Sequence, residues 1–111
     1  MKSRLILVAS VMAFPVIADI EPVHNPSYQL GAELAHSCAG CHGLTGISPV
    51  DSNPNLAGQN RDYLEYALKA YRSGERKGGM ARIMIPNARG LSDDEIHALA
   101  LYFSLQDSSL E

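Results

Sequence analysis

Two cysteines three positions apart, followed directly by a histidine, constrain this chain more than any other feature: Cys38-Ala39-Gly40-Cys41-His42. The pattern is that of c-type haem attachment. Both thiols add to the vinyl groups of one porphyrin, so they must be held close together. The adjacent imidazole then lies over one face of the iron and supplies the first axial ligand. A chain loaded in this way must wrap its elements around a flat, largely apolar group. Its task would be to carry an electron rather than to transform a substrate.

Other chemistries for these residues have weaker support. A closed zinc site takes four Cys or His ligands. Cys38, Cys41, His42 and His36 would have to supply them from one strained turn. A thioredoxin-like pair belongs beside a βαβ pattern, and no strand–helix–strand order is visible. A Cys38–Cys41 disulfide would close a very small loop, contribute little to stability, and leave the histidine unexplained.

The N-terminus agrees with export. Lys2 and Arg4 precede an almost wholly apolar run, Leu5 to Ile17, and Val16-Ile17-Ala18 offers a cleavage site before Asp19. This is the signal-peptide pattern. The run is shorter than the roughly 17 apolar residues that span a bilayer, although retention as an uncleaved anchor is the alternative. Cleavage would leave residues 19–111, enough for one small domain. Its core would be limited, and a covalent haem would supply apolar surface to pack against.

Residues 19–27, with two prolines and no apolar period, read as a mobile arm. A first helix is expected from Pro26 or Ser27 to about Cys38, with Leu30, Gly31, Leu34 and Ala35 on one stripe. Residues 43–58, rich in Gly, Pro, Ser and Asn, should be loop. A second helix is expected over Arg61–Ser73, capped by Asn60 and ended by Gly74. Its stripe is Leu64, Ala67, Leu68 and Tyr71. Residues 75–90 read as an irregular loop with at most one short turn. Ser92 and Glu95 form a capping-box pattern that starts a last helix. Asp93 and Asp94 suit its positive N-terminus, and Ile96, Leu99, Ala100 and Phe103 would be its buried face. Residues 105–111 form a polar tail. With no repeat and no β alternation, the domain should be all-α.

One histidine leaves the sixth iron position open. Met80, Met84, His24, His97 and His36 are the candidates. Thioether sulfur raises the reduction potential and suits electron transfer. Met84 lies between apolar neighbours in a segment that Pro86 stiffens. Met80 follows the flexible Gly78-Gly79, and His97 faces away from the apolar stripe of its helix.

Taken together, these pieces resemble a class I cytochrome c, and most of all the small bacterial monohaem type and one half of a dihaem cytochrome c4. The resemblance covers nearly all of residues 28–105. It rests on Cys38-Ala39-Gly40-Cys41-His42-Gly43, Gly46-Ile47-Ser48-Pro49 and Pro54-Asn55-Leu56-Ala57-Gly58-Gln59. It continues with Tyr63-Leu64, Tyr71-Arg72-Ser73-Gly74-Glu75-Arg76 and Met84-Ile85-Pro86 leading to Gly90-Leu91-Ser92-Asp93. The order of these pieces is far more specific than any one of them.

The resemblance implies a class I cytochrome c fold, with few helices around one covalent haem c. It implies that Pro54 offers its carbonyl to the Nδ1–H of His42, consistent with the general rule that metal-bound imidazoles donate their other N–H. The family's ligand methionine lies eight residues before the serine that caps the last helix, which points from Ser92 to Met84. It also implies close packing of the first and last helices, here Gly31 with Leu99 and Tyr102. The chain departs from cytochrome c4 in carrying one attachment motif. That leaves two roles: a free periplasmic one-electron carrier, or the electron-accepting haem subunit of a flavoprotein dehydrogenase such as sulfide dehydrogenase. A terminal oxidase is a further redox partner of the kind expected.

Charge refines the partner question. The whole chain is −3. Losing Lys2 and Arg4 would leave seven basic against twelve acidic residues, or −5. Residues 69–89 hold six of those basic groups (Lys69, Arg72, Arg76, Lys77, Arg82 and Arg89) against Glu75, so this segment is +5 and the rest −10. A basic collar on the methionine side would steer an acidic partner toward the haem edge. The alternative is that one or two of these groups hold haem propionates and the others are merely solvated. Nucleic acid is an unsuitable partner for an acidic exported domain. After cleavage nothing remains that would insert stably in a membrane.

Overall fold

The structure, a computed structural model, describes residues 4–13 and 22–109. Among these, five helices and no strands are found. They are α1 (Pro26–Leu34), α2 (Ala39–His42), α3 (Arg61–Ser73), α4 (Ala81–Ala88) and α5 (Asp93–Ser104). The expected all-α architecture is the one observed. None of the described helices is long and apolar enough to cross a membrane. The cleavage position before Asp19 lies outside the described residues.

Capping chemistry sets most helix ends. Asn25 Oδ1 accepts from Ser27 N at 2.8 Å, and Pro26 follows at the first helical position. Asn60 Oδ1 accepts from Tyr63 N at 3.0 Å, and Gly74 ends α3 in the left-handed region at φ 73°. Ser92 Oγ accepts from Glu95 N at 3.1 Å. The Glu95 carboxylate in turn accepts from the Ser92 hydroxyl, at 3.3 Å. Both members of the predicted box are therefore engaged.

Three local expectations need amendment. α1 ends at Leu34 rather than near Cys38, and a 3-10 turn over Ala35–Ser37 carries the chain on. Pro22–His24 form another 3-10 turn within the segment read as a mobile arm, and Gln29 Nε2 donates to Val23 O at 3.2 Å across it. Half of the segment read as loop over residues 75–90 is instead α4, which contains Pro86. Proline removes one helical hydrogen bond and disfavours a helix. Here Ala81 and Ala88 are buried, and α4 packs on α3. The Asn87 side chain also donates to Ile83 O at 2.8 Å, one residue beyond the acceptor that Pro86 leaves without its helical donor. Tertiary packing outweighs local propensity.

The most extensive helix pairing is α1 on α5. Gly31 makes it possible. A Cβ there would run into the Ala98 carbonyl oxygen and come within 2.7 Å of Tyr102 Cβ. The glycine's neighbours are thus Ala98 and Tyr102, while Leu99 turns toward the cavity described below. Tyr28, Tyr102 and Phe103 meet in sequence, tilted and then edge-to-face, with centroids 5.3 and 5.1 Å apart. Tyr102 OH donates to Leu44 O at 2.9 Å and ties α5 to the loop after α2.

The buried apolar set is unusual in kind. Eight of its thirteen members are alanines, and Ile96 is the only large side chain that is fully buried among the described residues. Leu64, Leu99 and Phe103 belong to the core cluster, yet they also form a cavity wall. The helices enclose a space rather than fill it.

Candidate haem site

Cys38 sits at the junction of the 3-10 turn and α2, and Cys41 and His42 lie inside α2. One turn of helix places Cys38 and Cys41 on neighbouring positions. They are not bridged to each other. Burial pushes the Cys38 thiol pKa up, partly opposed by its hydrogen bond with Ser37. Gly43 follows at φ 79°, a conformation that turns the chain sharply out of α2.

His42 is buried. Its Nδ1 lies 2.8 Å from Pro54 O. A carbonyl can only accept, so Nδ1 carries the proton and donates. That tautomer leaves Nε2 as a lone-pair donor, the state a metal needs.

His42 opens onto a cavity of about 770 Å³, within the roughly 300–1,000 Å³ of ligand sites. Cys38, Cys41, His42, Pro54 and Met84 all border it. Leu64, Leu68, Leu99 and Phe103 supply apolar wall. The donor set fits haem c: two adjacent thiols at one edge, one imidazole of the correct tautomer, a thioether, and hydrocarbon for the ring faces.

Of the candidates for the sixth position, Met80 and Met84 both border the cavity. They are one helical turn apart, which puts them on one face. Met80 is well exposed and Met84 is half-buried. His24, His36 and His97 do not line this space. His97 Nδ1 instead lies 2.6 Å from Glu65 Oε1, joining α5 to α3.

The basic segment is also sorted. Arg72 donates to Asp93 Oδ1 at 2.6 Å and to Leu91 O at 3.0 Å. Its guanidinium holds the Asp93 carboxyl below the usual carboxylate range. Lys69 pairs with Glu65 at 3.9 Å. Arg72 therefore ties α3 to the start of α5, and Lys69 is paired one turn back along α3, so both are engaged within the fold rather than left to a collar. Arg76 stacks 4.8 Å over the Tyr71 ring and, with Lys77, borders the cavity mouth.

The sequence assigns Ser48 and Asn53 no role, yet Ser48 Oγ lies 2.8 Å from the Cys41 carbonyl oxygen and Asn53 Nδ2 donates to it at 3.0 Å. The place of Ser48 in the Gly46-Ile47-Ser48-Pro49 segment and of both residues in a loop rich in turn residues is the only hint in the sequence. Tyr63 also borders the cavity, and its hydroxyl is 3.5 Å from Arg76 Nη1.

Comparison with known proteins gives the same picture. The cytochrome c family profile matches residues 28–104. Cytochrome c-554(548) of Halomonas halodenitrificans is 47% identical over 77 residues, covering 69% of this chain and 93% of that protein. The cytochrome subunit of sulfide dehydrogenase of Chlorobaculum tepidum is 38% identical over 73 residues, covering 66% of this chain and 63% of that subunit. The crystal structure of reduced cytochrome c4 from Pseudomonas stutzeri superposes with a TM-score of 0.66 at 28% identity. That match covers 73% of this chain and 48% of the cytochrome c4 chain, so this chain spans about half of it. A helical shell around a cavity edged by paired thiols and a correctly protonated imidazole is what this family builds, and the chain belongs to it: it is a cytochrome c, an electron carrier with one covalent haem c.

Proposed function

We propose that this cytochrome works as a periplasmic one-electron carrier, with Cys38 and Cys41 holding the haem and His42 and Met84 as axial ligands. The observation that carries the reading is that all four residues border one cavity while Pro54 holds His42 in the metal-binding tautomer. Haem bound there supplies one-electron cycling between iron(III) and iron(II). The chain's own residues do the rest. His42 is oriented by the Pro54 carbonyl. Leu64, Leu68, Leu99 and Phe103 keep water from the ring faces and hold the local dielectric low. Met84 is set on α4, whose burial against α3 restrains it.

Residues 1–18 are read as the signal segment, 19–27 as an arm, 28–105 as the cytochrome domain and 106–111 as a tail. The exposure of Leu5, Ile6, Leu7, Val8, Val11 and Met12 supports an export segment that is not part of the folded domain.

The donor and acceptor are acidic redox proteins, among them a flavoprotein dehydrogenase or a terminal oxidase. The relative that is a subunit of sulfide dehydrogenase favours the first. Arg76, Lys77 and Arg82, exposed beside exposed Met80 and Ile83, form the docking rim in this reading. Reversing Arg76 and Lys77 to Glu is expected to slow electron transfer and weaken its salt dependence. Unchanged rate and salt slope would remove the rim from the mechanism.

The ligand assignment is tested by carbon monoxide binding to the reduced protein. The unmodified protein should bind it slowly or not at all, whereas Met84→Ala should bind it on mixing. Equal, fast binding by both would show that Met84 is not a ligand.

A further inference from the structure

The end of α2 leaves a polar group that helix geometry cannot satisfy. The Cys41 carbonyl is among the last of its helix, where no intrahelical donor follows. Two side chains from the 48–53 loop reach it. Ser48 Oγ lies 2.8 Å from Cys41 O, and Asn53 Nδ2 donates to it at 3.0 Å. The Ser48 hydroxyl also lies 2.8 Å from Val50 O and has one proton to share between the two carbonyls. It accepts from Val50 N at 3.1 Å, and Ser48 N donates to Asn55 Oδ1 at 2.6 Å. The loop is therefore folded on itself before it touches α2.

The pairing has a geometry that capping alone does not require. Cys41 and His42 are adjacent, as are Asn53 and Pro54. Asn53 donates to Cys41, while His42 donates to Pro54 at 2.8 Å. Two hydrogen bonds of opposite direction thus join two dipeptides. One bond would fix a distance and leave the loop free to pivot about it. Two bonds from neighbouring residues fix the loop's orientation, and with it the direction of the Pro54 carbonyl.

We propose that Ser48 and Asn53 are positioning residues for the axial histidine. By clamping the loop to the Cys41 carbonyl, they keep the Pro54 carbonyl in line with His42 Nδ1–H and so tune the electron donation of the imidazole. The proposal rests on the reading of His42 as an iron ligand. A strong Nδ1–H···O bond raises ligand basicity and favours the ferric state. Loosening the clamp must weaken the bond and raise the reduction potential.

The test is made on the haem-loaded protein. Ser48→Ala with Asn53→Ala is expected to shift the ferric/ferrous equilibrium toward ferrous by about three- to tenfold, tenfold being 59 mV for one electron. Exchange of the His42 Nδ1 proton with deuterium should accelerate at least tenfold. Ser48→Thr, which keeps the hydroxyl, should restore both relative to Ser48→Ala. A double variant that is less stable but has an unchanged potential and proton exchange would overturn the proposal and leave these residues as a helix cap.

Should the double variant not mature, the unmodified protein decides. Its His42 Nδ1 proton and the Asn53 side-chain amide proton should be protected from exchange to the same degree, because one opening of the loop from α2 frees both. Unequal protection overturns the clamp. Failure of the ligand reading itself would look different, since the His42 ring protons of the unmodified ferric protein would then show no paramagnetic shift.

Discussion

Adding one methyl group at Gly31 should loosen the pairing of the first and last helices. Two effects oppose each other. In a helix interior alanine is favoured over glycine by about 1 kcal/mol. Against this, the new Cβ would meet the Ala98 carbonyl oxygen and lie 2.7 Å from Tyr102 Cβ. The first of these is backbone and cannot rotate away, so α1 and α5 must move apart. Overpacking costs about 1–3 kcal/mol, and a backbone obstacle belongs at the upper end. The net expectation for Gly31→Ala is a loss of about 2 kcal/mol, which lowers Tm by about 8–16 °C for a domain of this size. Thermal unfolding of the haem-loaded protein, followed by far-ultraviolet circular dichroism, reads it directly. Gly90→Ala is the control. Nothing lies within 4 Å of a Cβ there, and its φ is outside the left-handed region. That substitution should be neutral or stabilising by about 0.4–1 kcal/mol through the unfolded chain. A Gly31→Ala protein as stable as its parent, or more so, would refute the close-approach argument.

Other consequences can be checked with similar means. Tyr102→Phe removes the bond to Leu44 O and should cost about 1 kcal/mol in denaturant unfolding, with the visible spectrum unchanged. Ser92→Ala removes the α5 cap and should cost about 1 kcal/mol, read as a lower midpoint with an unchanged slope. The Asp93 carboxyl is held below its ordinary value by Arg72, so its stabilisation is present above about pH 4 and lost as pH falls through the lowered folded value. Acid titration of Asp93→Asn should lack that part of the stability change, and an identical acid limb in both proteins would rule the pair out as a contributor.

How much of this was legible in the sequence depends on the range of the interaction involved. α3 and α5 announce themselves because caps are local: Asn60, Gly74, Ser92 and Glu95 lie within a turn of what they cap. α4 does not, because Gly78, Gly79 and Pro86 oppose it locally and only burial of Ala81 and Ala88 against α3 decides the matter. α2 is a single turn, too short for any period to show. In the site, the attachment motif is visible because its chemistry demands a fixed spacing. Pro54 was suggested by resemblance alone, since nothing near it in the chain reports a partner twelve residues away. The role of Ser48 and Asn53 is equally silent: two small polar residues in a polar loop look like solvated turn until the carbonyl they cover is seen. The charge run is less free than its count suggests: Arg72 pairs with Asp93, twenty-one residues on, which linear order cannot show, whereas the Lys69 partner Glu65 lies one helical turn back and is legible from spacing.

The alanine-rich interior has a consequence beyond packing. Alanine brings helices close but removes little apolar area from water, and buried area is what outweighs chain entropy. With Ile96 alone as a large enclosed side chain among the described residues, the polypeptide by itself holds little reserve against unfolding. Copies that miss cofactor attachment should open readily and be destroyed by proteases, which cleave opened chains. Attachment would then act as a licence for survival, and the same small residues that make room for the ring would act as quality control over which molecules persist.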